Sequence, residues 1–193
     1  HLHEIDPELE PPKRSLSTLK ALERLGRRLA RCPQSVQLRV ARELVGHCRE
    51  LTRQADRLER EIETLVRREA PQLLALPGCG ALTAAKLVGE VAGIERFRTD
   101  AQLAMHAGVA PLDVSSGRQQ RHRLNRAGNR QLNRALHTIA IVQKRVYAPA
   151  KAYIARHQAA GKTNKEALRA LKRQLARRVF NILHLIADRA NNP

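Results

Sequence analysis

Aromatic side chains are scarce: the 193 residues hold two Phe, two Tyr and no Trp, 2% of the chain. An interfacial membrane helix needs an aromatic and bulky apolar face, so a membrane surface is set aside as a partner. No apolar run approaches the roughly 20 residues that span a bilayer. The opening His1–Glu10 is acidic and polar rather than a secretion leader. The three cysteines, Cys32, Cys48 and Cys79, form no CxxC pair and are too few for a disulfide framework or a four-ligand zinc site. A reduced, cytoplasmic setting fits these absences. Met105 is the only methionine and the chain opens at His1, so a piece of a longer protein is expected.

Carboxylates are the second shortage. Between Val114 and Lys165 there is none, while Arg118, Arg121, Arg123, Arg126, Arg130 and Arg134 fall there with six further cations. The formal charge is +18 and the sequence pI about 11.3. Up to Ala75 the chain carries 15 basic and 12 acidic residues; beyond it the figures are 21 and 6, a net of +15. A solvated helix face normally mixes signs, so a one-sign block of this length favours a phosphate-binding surface. Arg outnumbers Lys in the block, as bidentate phosphate contacts require. The implied partner is a nucleic acid.

Residues 1–14, with Pro7, Pro11 and Pro12, read as the end of an upstream domain followed by a linker. Residues 15–70 read as helical. Ser15 or Ser17 caps a first helix running to Cys32, and Ala41, Leu44, Cys48, Leu51, Ala55, Leu58, Ile62 and Leu65 keep an alternating three-four spacing. That spacing fits a coiled-coil seam pairing subunits through residues 41–65, and equally an amphipathic helix packed within its own chain. Residues 71–193 read as short helices joined by glycine turns, over Leu82–Val91, Ala101–Ala107 and Asn129–Val146. A last helix is opened by Thr163 or Asn164. It sets Leu168, Leu171, Leu175, Val179, Ile182 and Ile186 on one face and Lys165, Arg169, Lys172, Arg173 and Arg177 on the other. Period-two alternation is absent. The expected class is all-α, a coiled-coil-like segment followed by a helical domain.

Two constellations carry chemistry. Leu76-Pro77-Gly78-Cys79-Gly80 leading into Ala81–Leu87 has the layout of a helix-hairpin-helix. Glycines permit a tight turn with outward amides, and the next helix adds its unsatisfied N-terminal N–H groups for a phosphate oxygen, with Lys86 one turn in. Gly78, Cys79, Gly80 and Lys86 are therefore candidate DNA contacts that read backbone rather than bases. The bland reading is a plain glycine turn, with Cys79 a small tolerated side chain. The second constellation runs from Gly108 through Ser115-Ser116-Gly117-Arg118, Arg121, Arg123 and Arg126 to Gly128-Asn129-Arg130. A serine beside glycine and arginines has the chemistry to attack a phosphodiester, although such serines are more commonly turn formers. His106, His122 and His137 read as solvated or packing residues.

Together the motifs give a resemblance. The pieces are Leu76-Pro77-Gly78-Cys79-Gly80, Phe97-Arg98-Thr99-Asp100 to Ala107-Gly108-Val109-Ala110-Pro111, Ser115-Ser116-Gly117, Arg126-Ala127-Gly128-Asn129-Arg130 and the closing Leu171–Leu183 helix. With them the block Leu74–Leu183 resembles the carboxy-terminal domain of the IS one-ten, IS one-sixteen and IS nine-oh-two insertion-sequence transposases. The resemblance implies a bacterial, nucleoid-associated recombinase in which a RuvC-like first domain holds Mg2+ and the second domain supplies a serine that joins covalently to DNA. It places the nucleophile on Ser116, with the adjacent Ser115 as the alternative catalytic serine. Gly117, Arg118, Arg121, Arg123, Arg126, Asn129, Arg130 and Arg134 fall at the DNA. It also implies a structured guide RNA and assembly of two or more subunits.

The chain departs from that family in lacking the metal domain. Glu90, Glu95, Asp100, Asp113, Glu166 and Asp188 show no paired spacing for two divalent ions, so no cofactor is expected in this piece. Ala127 also stands directly before Gly128, where a basic residue is common. The rival readings are a helix-hairpin-helix module that grips DNA or RNA without chemistry, and an inactive transposase remnant. The charge distribution predicts that DNA affinity falls steeply with salt. Arg126→Ala and Arg130→Ala should each flatten the log–log salt slope by about one in fluorescence anisotropy. An affinity indifferent to salt contradicts the phosphate-surface reading.

Overall fold

The computed structural model describes residues 9, 11, 12, 15–116, 119–123, 125 and 127–191, the side chains of 113–116, 119–123 and 191 excepted. The chain divides into two units, residues 1–61 and 62–193.

In the first unit, helix α1 (Leu19–Ala30) begins at Thr18, whose hydroxyl accepts the Ala21 N–H at 3.3 Å. The cap is thus Thr18; Ser15–Ser17 form a single 3-10 turn before it. Leu22, Leu25 and Leu29 recur at helical spacing and are buried. At the carboxy-terminal end of α1, Arg42 donates to Leu29 O at 2.8 and 3.1 Å and to Cys32 O, just beyond the helix, at 3.1 Å. A cation there also opposes the helix dipole. Arg42 lies on α2 (Val36–Glu69), a 34-residue helix on which the division between the units falls.

The small core of this unit joins Leu9, Leu25, Leu29, Leu38 and Val45. Its α2 contributors, Leu38 and Val45, lie off the leucine row of the seam. Leu44, Leu51, Leu58 and Leu65 are 59, 64, 57 and 50% exposed. The leucines of that row are thus exposed among the described residues, while Ala41 and Ile62 of the same seam pack against the cores of the first and second units.

In the second unit, α3 (Pro71–Leu74) leads by a turn into α4 (Ala81–Val91), then α5 (Asp100–His106). Strands β1 (Leu112–Ser116) and β2 (Gln119–Arg123) pair antiparallel, and α6 (Arg130–Val146), α7 (Ala148–Ala159) and α8 (Asn164–Asn191) follow. The helical class holds. The ribbon is the addition: the all-α reading passes over this stretch, because β2 is wholly polar and β1 alternates only through Leu112 and Val114, too short a run to signal a strand.

Helix α6 is central. Leu132, Ala135, Leu136, Ile139 and Ala140 are buried along it, meeting Ala84, Leu87 and Val91 of α4 and Leu171, Leu175, Ala176 and Val179 of α8 in one core. Each fully buried Leu there contributes about 1.5–3 kcal/mol. Helix α8 starts with the expected capping box: Thr163 N–H and hydroxyl donate to Glu166 Oε2 at 2.8 and 2.7 Å, and Glu166 N–H donates to Thr163 Oγ1 at 3.3 Å. One residue of its cationic face is misassigned by periodicity. Lys172 is buried, 6% exposed, because its Nζ reaches inward to Asn133 Oδ1 at 2.8 Å.

Candidate nucleic-acid interface and serine hairpin

The turn between α3 and α4 is seated on α6. Gln143, itself buried, donates to Pro77 O at 2.7 Å. Gly78 has φ +83°, and a Cβ there would sit 3.0 Å from Val142 Cβ and 3.1 Å from Ile139 O, so glycine is required by both conformation and space. Cys79 is buried and its N–H donates to Leu76 O at 2.9 Å. Burial pushes its thiol up to about 11, which makes it inert as a nucleophile. Gly80 is the exposed residue of the turn. It caps α4 without a side-chain hydrogen bond, so the first-turn amides of α4 are left without a side-chain acceptor. Lys86 reaches across to Gln131 Oε1 at 3.2 Å, tying α4 to the start of α6.

The hairpin is mounted at its two ends. Gly108, with φ +66°, and Gly128 approach so closely that a Cβ on Gly128 would overlap the Gly108 nitrogen and Cα and the Ala107 carbonyl carbon. The chain entering β1 and the chain leaving β2 are thus pressed together where only glycine fits. Asparagines hold the contact. Asn129 N–H donates to His106 O at 2.6 Å; its Oδ1 caps α6 by accepting Gln131 N–H and Leu132 N–H at 2.8 and 3.0 Å. Its amide donates to Glu90 Oε2 at 2.8 Å. Asn133 donates to Ala107 O and Gly108 O, both at 3.0 Å, and accepts from Lys172. Asn125 donates to Met105 O at 3.3 Å and accepts Ala127 N–H at 3.0 Å.

Between those anchors the register pairs Leu112 with Arg123, Val114 with Arg121, Ser115 with Gln120 and Ser116 with Gln119. By the two-residue period of a strand, positions 116, 121 and 123 share one face of the ribbon and position 115 the other. The hairpin thus brings Ser115, Ser116, Arg121 and Arg123 into one ribbon. Gly117, Arg118 and Arg126 lie outside the described residues. Arg130 and Arg134 are exposed at successive turns of α6, directly after the Gly128 contact, while the side chain of Asn129 is engaged within the fold. The Gly78–Gly80 turn is seated against the far half of that helix.

Several cations are already answered. Arg173 donates to Asp100 Oδ2 at 2.9 Å and Arg177 lies 3.2 Å from the same oxygen. The hydrogen bond from Arg173 leads in holding the Asp100 carboxyl below its usual range. Burial and then Arg96 hold His106 below the usual imidazole range, and burial and then Lys172 do the same for His137. Among the described residues no three His, Cys, Asp or Glu side chains gather as a metal site. Also among the described residues, no helix is long and apolar enough to cross a membrane.

Asn133 and Gln143 escaped the sequence reading, which set Lys172 on the cationic face of the last helix and Glu90 among carboxylates without metal spacing. A polar residue at a core-facing position of an otherwise apolar helical stripe, as at Asn133 and Gln143, was the available signal. Nothing in the spacing marked their partners, which are backbone carbonyls and residues far along the chain.

The geometry defines a helical domain that presents a glycine-pinned ribbon beside an arginine-bearing helix. Residues 70–155 match the profile described as the Transposase IS116/IS110/IS902 family. The chain is 37% identical over 129 residues to the insertion element IS110 uncharacterized 43.6 kDa protein of Streptomyces coelicolor, covering 65% of this chain and 32% of that protein. It is 37% identical over 82 residues to a protein named probable family 20 transposase of Pseudomonas aeruginosa, covering 42% and 24%. The segment that carries the turn, the ribbon and α6 is thus the part of the chain that is similar to that transposase family. The matches span about a third and a quarter of the two relatives' lengths.

The mount has a direct test. Gly128→Ala should cost about 1–3 kcal/mol in urea unfolding, since the new methyl meets backbone on both sides. Gly89→Ala, in α4 with nothing within 4 Å of its Cβ, should stabilise by about 0.5–1 kcal/mol. Equal behaviour of the two variants contradicts the close contact.

Proposed function

We propose that this chain is the DNA-binding, serine-bearing part of a transposase that cuts and rejoins strands through a phosphoserine link. One observation carries the reading: a family-matched segment holds Ser115 and Ser116 on an anchored ribbon whose register sets position 116 on the face of Arg121 and Arg123. Ser116 is the nucleophile in this reading and Ser115 its neighbour. The Oγ–P ester forms as the P–O bond to one deoxyribose breaks, and the hydroxyl proton ends on the departing oxygen. The reverse step rejoins strands without ATP. Arg118, Arg126 and Arg130 hold the phosphate and neutralise charge on its non-bridging oxygens.

The Gly78–Gly80 turn and α4 act as a helix-hairpin-helix, with the uncapped first-turn amides of α4 on a phosphate of the flanking duplex and Lys86 close by. Cys79 and Asn129 serve by shaping the backbone there. The exposed leucine row of α2 pairs subunits through residues 41–65, and the basic helices offer a second polyanion, a guide RNA, a place to bind. Metal-dependent chemistry belongs to another domain of the full-length protein, so this chain alone binds DNA without cutting it.

The test combines the chain with an upstream domain of its family, magnesium and a DNA junction, and looks for a protein–DNA adduct that survives denaturant. Wild type should form it and Ser116→Ala should lose it. An equal yield from the variant sinks the Ser116 assignment, and no adduct from either favours a binding module without chemistry.

A further inference from the structure

Next to the base of the hairpin, α7, α8 and the segment Gly108–Pro111 enclose a cavity of about 530 Å3. Its cationic lining is Lys162, Arg169, Lys172 and Arg173, and the carboxylate among the lining residues is Glu166. That carboxylate is drawn into the cap of α8, where Thr163 donates to it twice, and stands 3.9 Å from Arg169. Arg173 is held by Asp100.

Lys172 is different in kind. It is 6% exposed, lines the cavity, and among the described residues its recorded hydrogen bond goes to Asn133 Oδ1, with no carboxylate beside it. An ammonium has three N–H donors, and a buried one is costly until its charge is matched. An anion entering the cavity supplies that match. The wall adds a second feature. The chain has four Phe and Tyr residues in all, and Tyr153 is placed here with its ring 4.5 Å from that of His157, edge to face. Cations joined to aromatic rings are the means by which proteins hold single-stranded nucleic acid. The volume lies within the ~300–1,000 Å3 of small-ligand sites, room for a nucleotide and too small for a duplex.

We propose that this cavity takes one unpaired nucleotide of the DNA strand engaged by the hairpin, its phosphate on Lys172 and Arg169 and its base along Tyr153 and His157. The proposal rests on the DNA-binding reading above and adds to it a site for a nucleotide turned out of the stack. Lys172 also supports Asn133, which holds the entrance to β1, so filling the cavity and positioning the ribbon share one side chain.

The test measures binding of the whole chain to a labelled thymidine oligonucleotide of about 12 nucleotides and to a duplex of equal length. Tyr153→Leu, which changes no charge, and Arg169→Gln should each weaken single-strand binding about tenfold and leave duplex binding within about twofold. Lys165→Gln, an exposed α8 position away from the cavity lining, should move both probes alike. The proposal is overturned if Tyr153→Leu and Arg169→Gln leave single-strand binding unchanged or weaken both probes equally. Tighter binding of a uridine oligonucleotide than of the thymidine one contradicts the assignment to DNA. If Tyr153→Leu fails to fold by circular dichroism, Arg169→Gln decides, since that side chain is partly exposed. Wild-type chain that binds neither probe defeats the DNA-binding reading itself, a result distinct from the variant pattern.

Discussion

The close approach of Gly108 and Gly128 is the constraint on which the candidate site depends. Backbone meets backbone there, so no side chain can substitute, and the ends of the ribbon are brought together before either strand begins. Two asparagines of α6 turn that contact into a fixed mount. Asn129 joins the leaving chain to His106 and Glu90, and Asn133 grips the carbonyls of Ala107 and Gly108. Both lie in the first turns of a helix whose other face is buried core. The position of the ribbon is thereby referred to the helix at the centre of the buried core.

Charge is arranged around the same helix. A net of +15 beyond Ala75 would repel itself if uniformly spread, and the fold sorts it instead. Arg173 and Arg177 are taken up by Asp100, and Arg169 has Glu166 beside it. Arg130 and Arg134 remain exposed at the start of α6, on the chain that leaves the ribbon. The buried Lys172 does a different job from its neighbours on α8, joining that helix to Asn133 and so to the mount. Exposed arginines and a buried lysine with a structural contact are thus residues that look alike in the sequence.

Helices were legible because their signals are local. The apolar spacing of α8, its Thr163–Glu166 box and the glycine punctuation of α4 and α5 all lie within a few residues of what they determine. The ribbon was not legible, since Gln119–Arg123 is wholly polar and the alternation of Leu112 and Val114 in β1 is too short to announce a strand. Lys172 was misplaced for a related reason: helical periodicity assigned it to the solvated face, and a hydrogen bond to Asn133, 39 residues away, decided otherwise. Gly108 and Gly128 stood out as motif glycines, yet their mutual contact could only be seen once the chain was folded. The quoted motifs contain Gly108, Gly128 and Asn129 of the mount, whereas Asn133, Lys172 and Glu90, which complete it, lie outside them.

The central claim is that α6 positions the serine ribbon through Asn133. Amide hydrogen exchange on the wild type and on Asn133→Ala addresses it most directly. The account predicts faster exchange across 112–116 and 119–123 in the variant, with the core amides of α6 and α8 still protected. Unchanged exchange in the ribbon, or a uniform loss of protection throughout the unit, would contradict it.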